Sequence, residues 1–151
     1  MFGNIQQSKI TVQQQPLGDL LSLVAQGQLQ IPRFQREFVW PISKTRALLD
    51  SMFKDFPIGT LFFWQAPANQ PRIFRELEDL HIPAPNLHQN VSYILDGQQR
   101  LTSLYAAGNA LQIGGNDYGN ICLDLEAARA YEEYKEDFED EIFVNRRGPD
   151  N

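Results

Sequence analysis

The residues of this sequence best suited to chemistry lie together in Asp-Gly-Gln-Gln-Arg, residues 96–100. An apolar strand pattern precedes the segment and a helical pattern follows it, so we expect a tight turn at a helix start. The first turn of a helix offers unpaired backbone N–H groups and the positive end of the helix dipole, which favour an anion. Gly97 allows close backbone approach because it has no Cβ. The segment therefore suits a phosphate site.

The side chains of this segment suit a phosphate ligand in different ways. Arg100 carries a planar guanidinium that can pair with two phosphate oxygens. Asp96 would repel a bare phosphate, which makes it a candidate metal ligand, ribose acceptor or helix cap. Gln98 and Gln99 can orient a water without adding charge. The residues alone leave a simpler interpretation open, in which an Asp-Gly turn caps a helix beside solvated Gln and Arg side chains.

The apolar spacing predicts the elements that position this segment. Helices are expected over residues 17–27, 43–56, 101–111 and 126–138, and strands over 9–12, 60–64, 91–95, 120–125 and 141–144. Ser43 is the expected N-cap of the second helix, with Ala47, Leu48, Met52 and Phe53 as its apolar stripe. The strand at 60–64 is nearly all apolar, which is typical of a strand buried on both faces.

Residues 29–40 form an expected loop with some strand character. Its alternating aromatic side chains Phe34, Phe38 and Trp40 fit a core face better than a base-stacking surface, with Trp40 as the exception. Together the patterns predict an α/β (α+β) protein with a small mixed sheet and packed helices. We expect an N-terminal arm at 1–15, a domain at 16–126 with a proline-rich insertion at 65–90, and an acidic helix and tail at 127–151.

Composition and charge exclude several classes of protein. Apolar residues make up 42% of the 151 residues, but no apolar run approaches the ~18 residues that cross a bilayer. The single Cys122 and the absence of a signal-peptide pattern favour a cytoplasmic protein. His81 and His88 lack the spacing of a zinc site. The net charge of −6 disfavours nonspecific DNA binding.

The charge is unevenly distributed along the chain. Residues 1–130 carry 10 basic and 11 acidic side chains, whereas residues 131–151 carry 3 basic and 8 acidic ones. The excess negative charge therefore belongs mainly to the tail, which fits a solvated helix face or a contact surface for a downstream region. The nearly neutral remainder leaves a specific anion pocket open.

Three blocks in this order carry a resemblance to a known family. They are Ile-Pro-Arg-Phe-Gln-Arg-Glu-Phe-Val-Trp at 31–40, Phe-Pro-Ile-Gly at 56–59 and Ile-Leu-Asp-Gly-Gln-Gln-Arg-Leu-Thr-Ser-Leu at 94–104. With the helix between the first two, they resemble the N-terminal domain of GmrSD-type restriction enzymes, over about residues 10–126. The resemblance implies a ParB/sulfiredoxin-like nuclease fold.

The resemblance also implies an activity and a set of site residues. The implied domain binds, and in several members hydrolyses, a nucleoside triphosphate with Mg²⁺ in a bacterial defence system against foreign or modified DNA. The implied catalytic residues are Asp96, Gln98, Gln99 and Arg100, with Asp96 also as the metal ligand. The implied nucleotide-binding and phosphate-binding residues are Gln35, Arg36, Trp40, Lys44, Gly97, Arg100 and Thr102.

Two further functions and the partners stay open at the level of sequence. One alternative is a non-catalytic module that senses modified DNA or assists assembly, and the other is a ParB-like metal-dependent DNase. We expect the nucleoside triphosphate as a partner, DNA reached through additional domains or a nuclease partner, no membrane, and a homodimer as one oligomeric option. Full-length family members add a His/Asn-type nuclease domain for which 151 residues leave no room, so we do not expect DNA cleavage by this chain alone.

Overall fold

The computed structural model describes residues 10–67, 74, 78–86, 88–135 and 140–146. Within these ranges the helices are α1 (Leu17–Ala25), α2 (Ile42–Phe53), α3 (Gln98–Gly108) and α4 (Leu125–Tyr134). The strands are β1 (Leu29–Gln30), β2 (Phe62–Ala66), β3 (Val91–Asp96), β4 (Gln112–Ile113), β5 (Asn116–Asp117), β6 (Ile121–Leu123) and β7 (Phe143–Asn145). Short 3₁₀ helices cover Glu78–Leu80 and Tyr118–Asn120. No helix in the described part of the chain is long and apolar enough to cross a membrane.

The main sheet has three strands in the order β1-β3-β2. Strand β1 runs parallel to β3, and β2 runs antiparallel to it, with Phe62 opposite Asp96 and Trp64 opposite Tyr93. The central strand β3 is rich in strand-forming side chains, and its Tyr93 and Ile94 are fully buried. Because β3 lies in the middle of the sheet, its last residue, Asp96, has a fixed position next to α3.

Helices α1 and α3 cover this sheet and form the core with it. Their apolar side chains recur three and four residues apart, so each helix turns one face to the sheet. The buried core cluster consists of Leu20, Val24, Leu29, Ile31, Leu80, Ile94, Leu101 and Tyr105. The predicted α/β class with a small mixed sheet is therefore confirmed, while the ParB/sulfiredoxin-like assignment stays a prediction.

The C-terminal part of the described chain is fixed to α2 by a buried carboxylate. Strands β6 and β7 pair antiparallel, and β7 lies against α2. Asp50 of α2 is 9% exposed, and its Oδ1 accepts hydrogen bonds from the N–H groups of Ile142 (3.1 Å) and Phe143 (2.7 Å). Hydrogen bonds to a charged acceptor are stronger than neutral ones. Asp50 thus satisfies two backbone donors at the start of β7.

Replacing Asp50 by alanine is expected to lower the free energy of unfolding by about 2–4 kcal/mol, because it removes two hydrogen bonds to a charged group and leaves N–H groups unpaired. Urea denaturation followed by circular dichroism measures the change. Glu133→Ala removes an exposed carboxylate on α4 and should change the free energy of unfolding by less than about 0.5 kcal/mol. Equal effects of the two substitutions would contradict the role given to Asp50.

One local prediction for α2, its N-cap, is wrong, and the prediction of its apolar stripe is wrong only at Ala47. Helix α2 begins at Ile42, with Pro41 in the N-cap position, so Ser43 lies inside the first turn. Proline is accepted there because its fixed φ and missing N–H cost nothing ahead of a helix. Of the predicted apolar stripe, Leu48 is buried, Met52 and Phe53 are half-buried, and Ala47 is exposed. Helix α2 also buries the polar side chains of Thr45 and Asp50.

The strand predicted at 60–64 is not buried on both faces. Strand β2 begins at Phe62 and lies at the edge of the sheet, where Phe62 is 47% and Trp64 42% exposed. The continuous apolar run therefore reflects strand propensity and not two covered faces.

Several predicted features lie wholly or partly outside the described residues. Of the predicted arm at 1–15, residues 10–15 have no regular structure and residues 1–9 are not described. The strand predicted at 9–12 is therefore wrong for residues 10–12. Within the predicted insertion at 65–90, a 3₁₀ turn covers Glu78–Leu80, and residues 68–73, 75–77 and 87 are not described. Helix α4 confirms the acidic helix through Tyr134, and the predicted extension through 136–138 is not described. The proposed domain boundaries stay predictions.

Candidate functional site

A polar cleft lies where β3 ends and α3 begins. Its volume is about 180 Å³. The lining residues come from the 35–40 loop and the β3–α3 turn: Gln35, Arg36, Trp40, Leu95, Asp96, Gly97, Gln98, Gln99 and Arg100. The structure thus brings together eight of the ten site residues predicted from the sequence and places them around one opening.

Gly97 lines this cleft and has a backbone conformation that favours glycine. It occupies the N-cap position of α3 with φ +86°, which L-residues with a side chain rarely adopt. A Cβ at this position would overlap Leu61 Cδ2 and lie 3.1 Å from Arg100 Nη2. The side chains that approach Gly97 closely are those of Leu61 and Arg100, and the approach of an anion to this glycine stays a prediction.

Arg100 binds backbone carbonyl oxygens in this structure, although a phosphate ligand is expected to turn its guanidinium toward the cleft. Its Nη1 donates to the carbonyl oxygen of Ile58, and its Nη2 donates to that of Thr60 at 2.8 Å. The same Nη2 lies 3.4 Å from Asp96 Oδ2. The side chain is 19% exposed. Its planar fork thus holds the 58–60 loop against the start of α3.

Gln99 performs a similar task on the other side of the cleft. It is 6% exposed, its Oε1 accepts from the Val39 N–H at 2.9 Å, and its Nε2 donates to the Glu37 carbonyl at 2.8 Å. Gln35 Nε2 donates to the Leu95 carbonyl at 2.8 Å. These three bonds fasten the 35–40 loop to the end of β3 and the start of α3. The two glutamines therefore build the wall of the cleft.

The side chains with the most freedom to meet a ligand are Asp96 and Arg36. The Asp96 side chain is 73% exposed at the cleft mouth, and Arg36 is exposed opposite it on the 35–40 loop. Gln98 is 4% exposed but lines the cleft, where its Oε1 lies 3.4 Å from Gln99 Nε2. The cleft thus presents one cation, one anion and an amide held in place.

Trp40 lines the cleft, and both its backbone carbonyl and its indole ring have partners outside the cleft lining. Its carbonyl accepts a hydrogen bond from the Tyr118 hydroxyl at 2.9 Å, and the Lys44 ammonium lies 5.8 Å from the centre of its ring. Lys44 is exposed and stands beside the cleft without lining it. A cation over an indole ring is favourable. Trp40 thus lies in the cleft lining, and its stacking on a base stays a prediction.

Tyr118 is expected to make stability pH-dependent in alkaline solution. Burial raises the pKa of its hydroxyl above the ordinary value of 10.0, against a smaller lowering by the Thr45 side chain. A raised folded-state pKa means that the contribution is complete below pH 10 and is lost as the pH rises through the folded pKa. The stability advantage of wild type over Tyr118→Phe should therefore shrink above about pH 10. Urea denaturation of both proteins at pH 8 to 11 measures it, and a constant difference would contradict it.

The structure contradicts the predictions made for Thr102 and Phe34. Thr102 is 4% exposed and lines a small apolar space of about 10 Å³ beneath α3, because it lies on the core side of the helix. The structure does not bring it to the other site residues. Phe34 is 66% exposed, so the prediction that it belongs to the core is wrong. Phe38 packs on Tyr118 with ring centres 5.9 Å apart.

The loop at 58–60 is the part of the site that the residue-level reasoning missed. Its contribution comes from backbone carbonyls, which leave no mark on side-chain types. The glycine at position 59 is the signal in the sequence that could have revealed this loop, because glycine accepts a positive φ and a close neighbour. In the structure its φ is +85°, and a Cβ there would lie 2.5 Å from Arg100 Nη1.

The cleft fits a magnesium ion only if the ligand brings further oxygens. Among the described residues, no three His, Cys, Asp or Glu side chains come together as a metal-binding group. Mg²⁺ in nucleotide sites commonly uses one or two carboxylates, phosphate oxygens and water. The single exposed carboxylate of Asp96 is compatible with that arrangement.

Comparison with known proteins identifies the family of this chain. The family model of the GmrSD restriction endonuclease N-terminal domain matches residues 17–150, a range that contains every residue lining the cleft. The chain is also similar to the uncharacterized protein MJ0686 of Methanocaldococcus jannaschii, with 37% identity over 93 residues. That alignment covers 59% of this chain and 16% of the relative, so the chain spans a small part of that protein.

Proposed function

Because this chain belongs to the family of GmrSD restriction endonuclease N-terminal domains, we propose that it binds a nucleoside triphosphate with Mg²⁺ and hydrolyses it within a DNA restriction system. The observation that carries the proposal is the polar cleft at the β3–α3 turn, with Arg36 and Asp96 exposed at its mouth. Pockets for whole ligands usually measure about 300–1,000 Å³. The cleft of about 180 Å³ therefore suits the phosphates, with the base outside against Trp40.

The phosphates meet positive potential from two directions. Gly97 begins α3, whose first N–H groups and dipole favour an anion. Arg36 supplies a guanidinium from the opposite loop, and this loop is held in place by the Gln99 and Gln35 hydrogen bonds. Backbone N–H groups at a helix start, together with a guanidinium on a held loop, stabilise the charge that develops during phosphoryl transfer.

Asp96 is the residue that would hold the metal ion. Its carboxylate lies at the cleft mouth, and its position is set by the end of β3 and by the Arg100 contact at 3.4 Å. When bound, Mg²⁺ neutralises phosphate charge and orients the triphosphate. Asp96 without a metal would repel the triphosphate, so binding should depend on Mg²⁺.

Gln98 is suited to orient the attacking water. Its side chain is 96% removed from solvent yet borders the cleft, and its Oε1 is near the Gln99 amide. A fixed amide can accept from and donate to one water and so align it without adding charge. Proton transfer then goes to solvent or to a phosphate oxygen, because the amide does not titrate.

DNA recognition and cleavage are assigned to other parts of the system. The 93 aligned residues make up only 16% of the relative MJ0686, and the described cleft offers a single unengaged guanidinium, that of Arg36, at its mouth. A chain with a net charge of −6 has little nonspecific affinity for DNA. We therefore propose that nucleotide hydrolysis here controls a nuclease supplied by additional domains or by a partner protein.

Calorimetric titration with each of the four ribonucleoside triphosphates, with and without Mg²⁺, tests the proposal. We expect Mg²⁺-dependent binding of at least one nucleotide, followed by phosphate release. Asp96→Asn should remove the Mg²⁺ dependence and lower hydrolysis at least about tenfold, equivalent to about 1.4 kcal/mol. Asp79→Asn changes an exposed carboxylate outside the cleft and should behave as wild type. A folded wild-type protein that binds modified DNA but no nucleotide would replace this proposal with the DNA-sensing alternative.

A further inference from the structure

The Arg100 side chain is enclosed by two backbone turns. A Cβ added at Gly59 would lie 2.5 Å from its Nη1, and a Cβ added at Gly97 would lie 3.1 Å from its Nη2. Both glycines have positive φ, +85° and +86°. The guanidinium therefore sits against bare backbone on two sides, in a space that exists because both residues are glycines.

The hydrogen bonds of Arg100 argue against a role in binding phosphate. Its two terminal nitrogens donate to the carbonyls of Ile58 and Thr60, which are 40 or more residues distant in the sequence. Turning the guanidinium toward a phosphate would break both bonds and leave two carbonyl oxygens without this donor. Arg36, by contrast, is exposed on the cleft wall.

The contacts of Arg100 connect it to the groups that meet the ligand. Its Nη2 lies 3.4 Å from Asp96 Oδ2, and the loop it holds continues directly into Leu61. Leu61 Cδ2 occupies the space that a side chain at Gly97 would take. Arg100 thus contacts the Asp96 carboxylate and holds the loop that leads into Leu61, which packs against Gly97.

We infer that Arg100 is a positioning residue, which fixes the 58–60 loop and the Asp96 carboxylate relative to the first turn of α3 and does not bind the phosphates. The kinetic consequence rests on the proposed nucleotide hydrolysis, whereas the structural consequence exists without nucleotide. The two parts can therefore fail separately.

Hydrogen–deuterium exchange of the nucleotide-free chain tests the structural part. In Arg100→Lys and Arg100→Ala, amides at 58–61 should exchange at least about tenfold faster than in wild type, because the bonds that hold the loop are lost. Arg36→Ala should leave these amides unchanged. Unaltered exchange at 58–61 in the folded Arg100→Lys protein would overturn the inference.

Steady-state hydrolysis and binding test the kinetic part. For Arg100→Lys we expect kcat to fall about tenfold or more, KM to change less than about threefold, and the ratio of triphosphate to monophosphate affinity to match wild type. A phosphate ligand would behave differently, since its loss weakens the triphosphate most and reduces that ratio. A lower ratio of triphosphate to monophosphate affinity in Arg100→Lys, together with unchanged amide exchange at 58–61, would overturn the inference.

Gly59→Ala provides a second variant that retains the arginine. Its Cβ would meet Arg100 Nη1, so it should dislodge the guanidinium and reproduce both the faster exchange and the lower kcat. Normal kcat in Gly59→Ala with a displaced loop would overturn the positioning role. A wild-type chain that binds no nucleotide would refute the proposed function, and the exchange comparison would then decide whether Arg100 holds the loop.

Discussion

Replacing Gly97 by alanine is expected to lower the free energy of unfolding by about 2–5 kcal/mol. One part of this cost is the positive φ of +86°, which costs an L-residue with a Cβ about 1–2 kcal/mol. The other part is the overlap of the new Cβ with Leu61 Cδ2, since overpacking costs about 1–3 kcal/mol. Urea denaturation monitored by circular dichroism, with the midpoint and slope both fitted, measures the sum.

Two other glycines of this chain separate the two parts. Gly114 also has a positive φ, +55°, but a Cβ there would meet nothing within 4 Å, so Gly114→Ala reports the backbone cost alone. Gly108 lies at the end of α3, without a positive φ and without a neighbour within 4 Å. Gly108→Ala should be neutral or stabilising by up to about 1 kcal/mol. A Gly97→Ala protein no less stable than Gly114→Ala would contradict the steric argument.

The double variant Gly97→Ala with Leu61→Ala tests the contact directly. Leu61→Ala alone removes packing from a half-buried side chain, and Gly97→Ala alone introduces the clash. If the clash is real, the double variant should be about 1 kcal/mol or more stable than the sum of the single effects predicts, because the smaller side chain makes room for the Cβ. Additive effects would place the cost of Gly97→Ala in the backbone.

The strand, turn and helix of the site were predictable because local sequence determines them. Strand-forming residues at 91–95 lead into Asp-Gly, and the apolar spacing after it indicates a helix. The structure confirms β3 and α3, with α3 beginning three residues before the predicted start, at Gln98. The position of Gly97 at the turn follows from the same local rule.

The hydrogen-bond partners of Gln99 and Arg100 were not predictable from residue types. Their acceptors include the backbone carbonyls of Glu37, Ile58 and Thr60, and a carbonyl has the same chemistry at every position. Arginine is equally suited to two carbonyls or to two phosphate oxygens. Which of these Arg100 contacts is decided by long-range folding, which brings a loop 40 residues distant against the start of α3.

Exposure was the second property that local patterns did not determine. Alternating aromatic residues at 34, 38 and 40 fit a core strand, but the chain there has no regular strand, and Phe34 faces solvent. Similarly, the apolar run in β2 lies at a sheet edge. In both cases a short strand pattern says that a segment suits a sheet and does not say how many of its faces are covered.

Arg36→Ala is expected to weaken nucleoside triphosphate binding about 10- to 100-fold while leaving the fold intact. Arg36 is exposed and lines the cleft, so its removal creates no cavity. Loss of a hydrogen bond to a charged group costs about 1.5–3 kcal/mol, and each 1.4 kcal/mol is a tenfold change in affinity. Calorimetric titration with the nucleotide that wild type binds measures the loss.

The loss should grow with the number of phosphates and diminish with salt, because Arg36 acts through charge. Triphosphate affinity should therefore fall more than monophosphate affinity, and the difference between wild type and variant should narrow as ionic strength rises. Arg129→Ala is the matched control, since it removes the same charge from an exposed position on α4 and should bind as wild type. Arg33 is a less suitable control, because its Nε donates to the Phe74 carbonyl at 3.0 Å. An unchanged triphosphate affinity in Arg36→Ala would show that Arg36 does not contact the phosphates. The proposal that the phosphates lie between Arg36 and the start of α3 would then be excluded.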